Sequence, residues 1–227
     1  MPAQFEDAHA FTARWEGGLT EHPADPGGIT NHGVSLRWVR SLVEQARAEC
    51  RRSARGCGDC IDAGTPSCPA LCDSDMDGDG DVDADDIRAC TAAQAARLFK
   101  KHFWDAGRCG RLPEPLAIAM YDSAVNLGLP RAARLLQQAM NLTGESQLEE
   151  YREITVDGCV GPRTLALGKA LEEADLAQYA ARRMVALRRQ FYRRLTTTRP
   201  SLRVFLPGWN NRCKALLQYL ADKEREQ

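Results

Sequence analysis

No apolar run in this 227-residue chain approaches the roughly 20 residues needed to cross a bilayer, which argues against stable membrane insertion. Stretches of alternating apolar and β-branched residues are also sparse, so the expected class is mainly α. The N-terminus, MPAQFEDAHAFTARWEGG, has neither the basic start nor the continuous apolar centre of a secretory signal. The chain is therefore expected to be made in the cytoplasm. Net charge is nearly absent, at −1, but this near-zero sum conceals two opposed blocks. DSDMDGDGDVDADD, Asp73 to Asp86, holds eight aspartates and no basic residue. Arg182 to Arg203 holds eight arginines and no acid. A cationic surface there can approach an anionic polymer or wall, and a solvated helical face is the plainer reading.

What is present is mostly helical text. QFEDAHAFTARW places Phe5, Ala8, Phe11 and Trp15 near helical spacing and should end at Gly17-Gly18, leaving Glu16 at the helix end. VSLRWVRSLVEQARAEC reads as a second helix. TAAQAARLFKKHFW follows with Thr91 as its cap, and EPLAIAMYDSAVNLG and PRAARLLQQAMNL meet at Gly128-Leu129-Pro130. VDGCVGPRTLALGKAL gives a turn and a helix. LAQYAARRMVALRRQFYRRL carries an apolar stripe of Ala180, Met184, Leu187, Phe191 and Leu195, and NRCKALLQYLADKERE closes the chain. Between Arg51 and Asp86 the text turns to Gly, Cys, Asp and Ser, as an inserted module would. The expected division is therefore 1–50, an insert at 51–90, and a helical remainder at 91–227.

Within the insert, DMDGDGDVDADD fits the twelve-residue calcium loop of EF-hands. Asp75, Asp77 and Asp79 take positions 1, 3 and 5, and Gly80 makes the sharp turn at 6. Asp81 offers its carbonyl at 7, Val82 is the apolar position 8, Asp83 takes 9, and Asp86 closes the loop. Calcium needs six to eight hard oxygen ligands, which alternating aspartates supply. Asp86 stands where glutamate is usual, as in dockerin-like loops. A structural Ca2+ is the expected cofactor.

Nine cysteines are many for a cytoplasmic product, and Cys50, Cys57, Cys60, Cys68, Cys72 and Cys90 crowd this one segment. Cys57, Cys60, Cys68 and Cys72 have the spacing to ligate a tetrahedral Zn2+. Alternatively, the six could form three disulfides outside the cell, or stay free thiols. Cys109, Cys159 and Cys213 read as small buried apolar residues.

The stretch WEGGLTEHPADPGGITNHG poses the chemical question. Eight residues separate Glu16 from Asp25, and four more separate Asp25 from Thr30. Cleaving a glycosidic bond needs a protonated carboxyl beside the leaving oxygen and a second group opposite it. Burial at the end of an apolar helix raises a glutamate pKa toward that role, and a Gly/Pro loop can carry an aspartate to face it. On spacing alone, a capping glutamate and an Asp-Pro-Gly-Gly turn are the favoured reading.

EGGLTEHPADPGGITNHGVS resembles the N-terminal signature of glycoside hydrolase family 108, the N-acetylmuramidases that include many phage endolysins. Glu16, Gly17, Gly18, Pro23, Asp25, Gly27, Gly28, Thr30, Asn31 and Gly33 fit its pattern. His22 and His32 depart from it, standing where an aspartate and an aromatic are common. AARLFKKHFWDAGRCGRLPEPLAIAMYDSAVNLGLPRAARLLQQAMN resembles the rest of that family, with Asp122, Asn126, Gly128 and Gln137 in matching positions. VDGCVGPRTL resembles the predicted peptidoglycan domain that follows it, through Asp157, Gly158, Gly161, Pro162 and Thr164. The cysteine and aspartate insert is outside the usual pattern.

The resemblance implies a lysozyme-like helical fold that hydrolyses the β-1,4 bond between N-acetylmuramic acid and N-acetylglucosamine. Glu16 would be the general acid. By a further likeness to the Glu-x8-(Asp/Cys)-x5-Thr spacing of phage-type lysozymes, Asp25 and Thr30 would position the water. His22, Asn31, Asp122 and Asn126 are candidate substrate contacts, and Trp104 and Trp209 candidate sugar platforms. The expected partner is peptidoglycan, with no nucleic acid, acting as a monomer on the wall outside the cytoplasm. Two rivals stand beside this reading: a lytic transglycosylase, and a non-catalytic wall-binding protein with a calcium-dependent module.

Overall fold

Period-3.6 apolar patterning organises nearly every element. The computed structural model describes residues 4–21, 28–52 and 73–226, and its secondary structure is almost wholly helical, as expected. Its contacts divide it into two units, 16–98 and a second made of the N-terminal segment through Trp15 together with 99–227.

The larger unit is a helical bundle built on one fully sunken helix. Helix α1 (Phe5–Ala13) buries Phe5, Ala8 and Phe11. Lys100–Asp105 form a π-helical turn and Cys109–Arg111 a 3-10 turn. Helix α5 (Glu114–Leu127) is buried at every residue from Leu116 to Ala124, as a helix enclosed on all sides must be. It packs on α1, on α6 (Leu129–Gln147) and on α8 (Ala177–Thr198). Helix α7 (Pro162–Glu173) covers α6, and α9 (Leu206–Arg225) lies on α8 after a 3-10 turn over Pro200–Phe205. Proline occupies the first turn of α5, α6, α7 and α9, where its missing N–H has no helical partner to lose.

The smaller unit holds β1 (Thr30–Asn31) and β2 (Val34–Ser35), then α2 (Leu36–Arg52), α3 (Ala84–Ala89) and α4 (Ala92–Phe99), whose last residue is counted with the larger unit. Val34 and Ser35, read from the sequence as helix, pair with Asn31 and Thr30. The turn between the strands has φ of 48° at His32 and 79° at Gly33. Positive φ at both central residues is the type I′ geometry whose twist suits a two-residue hairpin. Val34, Val39, Ile29 and Ile87 form the centre of this unit. Thr91 caps α4 reciprocally with Gln94, each backbone N–H bonding the other's side chain.

Among the described residues no helix is long and apolar enough to cross a membrane.

Candidate active site

Glu16 sits one turn beyond where α1 ends. The helix stops at Ala13, three residues short of the sequence expectation, and the ring of the 37% exposed Trp15 lies 6.5 Å from that of Phe11. Trp15 N–H closes the end on Thr12 O, and half-buried Glu16 lies in the turn that follows. Gly17 then takes φ 72°, a left-handed conformation that releases the chain from the helix axis. Thr20 and Thr30 exchange both backbone hydrogen bonds, at 2.8 and 2.9 Å. That pair ties off the neck of the segment between them and sets Thr30 at the start of β1. Asp25 and His22 fall within 22–27, outside the described residues.

Asn31 does not do what its place in the motif suggested. Its side chain is buried, and its amide donates to the carbonyls of Ile87 at 3.1 Å and Cys90 at 3.2 Å. These are orphan acceptors at the C-terminal end of α3, so Asn31 is a structural clamp with both donor hydrogens engaged. The same unit adds Arg40 Nε to Val82 O at 3.1 Å and Arg88 to Glu21 at 2.5 Å. Helix α3, which follows the aspartate loop, is thus bonded to the hairpin and to Glu21, and the loop itself to α2.

The aspartate loop winds compactly. Asp75 accepts from Gly78 N–H at 2.7 Å and Gly80 N–H at 3.0 Å, and Gly80 has φ 97°. Asp86, fully buried, accepts from the N–H groups of Met76, Asp77 and Asp83. Asp83 caps α3 through Asp85 N–H, completing a capping box with Asp86. Carboxylate oxygens of Asp75, Asp77 and Asp86, and of Asp81, Asp83 and Asp86, lie within 4.8 Å of one another. Desolvation and then the neighbouring aspartates raise the Asp77 pKa, and for Asp81 the Asp79 charge leads. Hard oxygens crowded around a glycine turn suit Ca2+. Cys57, Cys60, Cys68 and Cys72 lie outside the described residues. Cys90, assigned from sequence to the disulfide set, is a buried free thiol.

Asp122 is likewise not a sugar contact, since its side chain is fully buried. It accepts from Arg188 Nη1 at 2.5 Å, from Arg212 Nε at 2.9 Å and Nη2 at 2.7 Å, and from Thr12 Oγ1 at 3.3 Å. Burial pushes its pKa up, but Arg188 and then Arg212 pull harder and hold it below the ordinary carboxylate value. Arg188 Nε donates to Tyr192 Oη at 2.7 Å, and Tyr192 donates in turn to Asn126 Oδ1. This fixes the face of half-buried Asn126. Nothing in the apolar pattern announced this network. The signal was a spacing of four that carries Ala180 and Met184 on to Arg188, Tyr192 and Thr196, all buried. Arg188 therefore belongs to the interior rather than to the cationic surface read from the sequence.

Trp104 is buried against Phe5 and Tyr121, and Trp209 stacks between Tyr192 and Phe205. Gln137 pins the VDGCVGPRTL segment, donating to Asp157, Cys159 O and Thr164 and accepting from Gly158 N–H. Cys109 and Cys213 are buried as expected, and Cys159 is exposed.

Comparison with known proteins gives two family matches that divide the chain. The model described as Glycosyl hydrolase 108 matches residues 9–128, and that described as Predicted Peptidoglycan domain matches 131–214. Among solved structures, the chain is similar to Brucella abortus SagA at TM-score 0.65 and 21% identity, over 96% of this chain and 94% of that one. At that identity the likeness is one of fold. No curated protein matches the chain.

Proposed function

The chain belongs to the glycosyl hydrolase 108 family and is a peptidoglycan hydrolase, and from that premise we propose that it is an N-acetylmuramidase. It cleaves the β-1,4 bond between N-acetylmuramic acid and N-acetylglucosamine, with Glu16 as general acid. The observation that carries this reading is the local build of the Glu16 arm. A half-buried carboxyl leaves a helix on a left-handed glycine, and the Thr20–Thr30 bond pair closes the segment that carries Asp25. Such an arm holds one acid partly out of water, and the sequence after it supplies a second carboxylate, Asp25, and the Thr30 hydroxyl. In this reading Asp25 and Thr30 position the attacking water, so the anomeric centre is inverted. Asn126, held by Tyr192, and His22 are its candidate sugar contacts.

Calcium belongs to the same proposal as a structural ion. Asp75, Asp77, Asp79, Asp83 and Asp86 would hold it through carboxylates and Asp81 through its carbonyl, which would neutralise the charge of the loop. The Asn31 clamp supports this reading, because it couples the order of the loop to the strand bearing Thr30. Zinc at Cys57, Cys60, Cys68 and Cys72 is the lesser proposal for the insert, decided against disulfides by metal analysis and thiol counts.

Mass spectrometry of peptidoglycan digests tests the main reading. Wild type is expected to release muropeptides with reducing muramic ends, and Glu16→Gln to lose activity at least a thousandfold while keeping its fold. Products ending in 1,6-anhydromuramic acid would make the enzyme a lytic transglycosylase. Full activity in Glu16→Gln would remove the assigned acid.

A further inference from the structure

Helix α8 has more apolar residues than its core uses. Its buried face runs through Met184, Arg188 and Tyr192, which leaves Leu187 and Phe191 half-buried beside it. They line a groove of about 530 Å³ between α6, α8 and the segment 151–156, within the range of ligand clefts.

The groove has a charge polarity that follows from the helix directions. Arg131 stands over the Phe191 ring at 4.9 Å, and Arg183 donates to Leu142 O at 2.6 Å, so α6 and α8 run antiparallel. Arg131 and Arg194 share one end. Glu145 lies 14 residues beyond Arg131 on α6, about 21 Å along the helix axis, and marks the other end with Glu153 and Tyr151. None of these four charges enters an ion pair among the described residues. Between the ends lie Leu135, Leu187 and the amides of Gln138 and Gln190.

The wall at the acidic end is held in place. A Cβ on Gly144 would stand 2.5 Å from the Tyr151 ring, so the missing side chain is what lets that ring lie on α6. Asn141 grips Ile154 at both backbone groups, donating to its carbonyl at 2.7 Å and accepting from its N–H at 3.1 Å.

We propose that this groove binds the peptide stems of peptidoglycan, with stem carboxylates at Arg131 and Arg194 and the diamino-acid ammonium at Glu145 and Glu153. An extended peptide advances about 3.3–3.6 Å per residue, so a span of about 21 Å holds roughly six residues and accommodates a stem of four or five. A sugar chain alone offers no ammonium to the acidic end and leaves the polarity unused. The proposal rests on the peptidoglycan-hydrolase reading, and it makes the C-terminal half a reader of peptide rather than of glycan.

Isothermal titration of the 227-residue protein with the tetrapeptide N-acetyl-L-Ala–γ-D-Glu–L-Lys–D-Ala, whose one ammonium is that of lysine, tests it. Binding is expected to weaken at least tenfold in Arg131→Glu/Arg194→Glu and in Glu145→Gln/Glu153→Gln. Acetylating the peptide's lysine should weaken binding to wild type and leave Glu145→Gln/Glu153→Gln unaffected. Equal binding by wild type and both double variants, or absence of binding to wild type, would overturn the proposal. So would a preference for peptide-free glycan strands that the Arg131/Arg194 substitutions abolish. Release of reducing ends by wild type from peptide-free strands is measured alongside. It reports the muramidase reading by itself, so cleavage without peptide binding sinks only the groove, and peptide binding without cleavage sinks only the muramidase.

Discussion

Replacing Asp122 by asparagine changes almost no volume and removes one buried negative charge. In the folded protein that charge faces two guanidinium groups and accepts four hydrogen bonds from Arg188, Arg212 and Thr12. With asparagine there, two buried cations face each other without an anion, and breaking a buried pair in this way costs roughly 3–5 kcal/mol. Domains of this size are stable by roughly 5–15 kcal/mol, so the variant loses a large share of its margin. At about 2–4 °C per kcal/mol, the melting temperature falls by roughly 6–20 °C. Urea titration at pH 7 measures the loss directly. The cost should be asymmetric, because Arg212→Met leaves Asp122 paired with Arg188 and should cost clearly less than Asp122→Asn. Acid sharpens the test. A depressed folded pKa contributes stability that is fully present above the ordinary carboxylate value and disappears as pH falls through the folded one. The gap between wild type and Asp122→Asn should therefore be wide at neutral pH and narrow below the ordinary carboxylate range. A loss under about 1 kcal/mol at pH 7, or a gap that does not change with pH, would refute the account.

Three further outcomes follow from single contacts. Asn31→Ala leaves the Ile87 and Cys90 carbonyls without their donor and should cost roughly 1–3 kcal/mol by urea titration, whereas a neutral result would deny the clamp. Gly158→Ala must fit a Cβ 2.9 Å from Pro130 O at φ 88°, so calorimetry should show a loss of roughly 2 kcal/mol, and wild-type stability would mean that the segment stands elsewhere. Calcium at about a hundredfold excess over its dissociation constant should stabilise the protein by about 2.7 kcal/mol, and Asp75→Ala/Asp79→Ala should remove the gain. A melting temperature indifferent to chelation would sink the calcium proposal.

Helices were legible in the sequence because their signals are local. The Thr91 cap, the prolines in the first turns of α6 and α7 and the run from Leu116 to Ala124 all act within one or two turns. Contacts between residues distant in sequence were not legible. Val34 and Ser35 have helical neighbours but pair across the His32–Gly33 turn, where geometry outranks propensity. On α8 the apolar stripe was drawn through Leu187 and Phe191, since hydrophobicity was the only guide to burial. The true inward face takes Arg188 and Tyr192 because Asp122, 66 residues away from Arg188 in sequence, supplies the charge that makes a buried arginine tolerable. Asn31 and Asp122 were read from the motif as substrate contacts, and both instead serve buried hydrogen-bond networks, because a motif marks a position without saying what meets it. The Glu16 arm was located by its glycines, although the helix before it ends sooner than those glycines suggested.

The Asn31 clamp has a consequence for any attempt to shorten the chain. A residue of the hairpin has both its amide hydrogens committed to the carbonyls of Ile87 and Cys90, 56 and 59 residues further on. Deleting the stretch that ends in those two residues would leave a polar side chain facing an empty place in the hairpin's interior. Any shortened version of this enzyme must therefore change residue 31 in the same step.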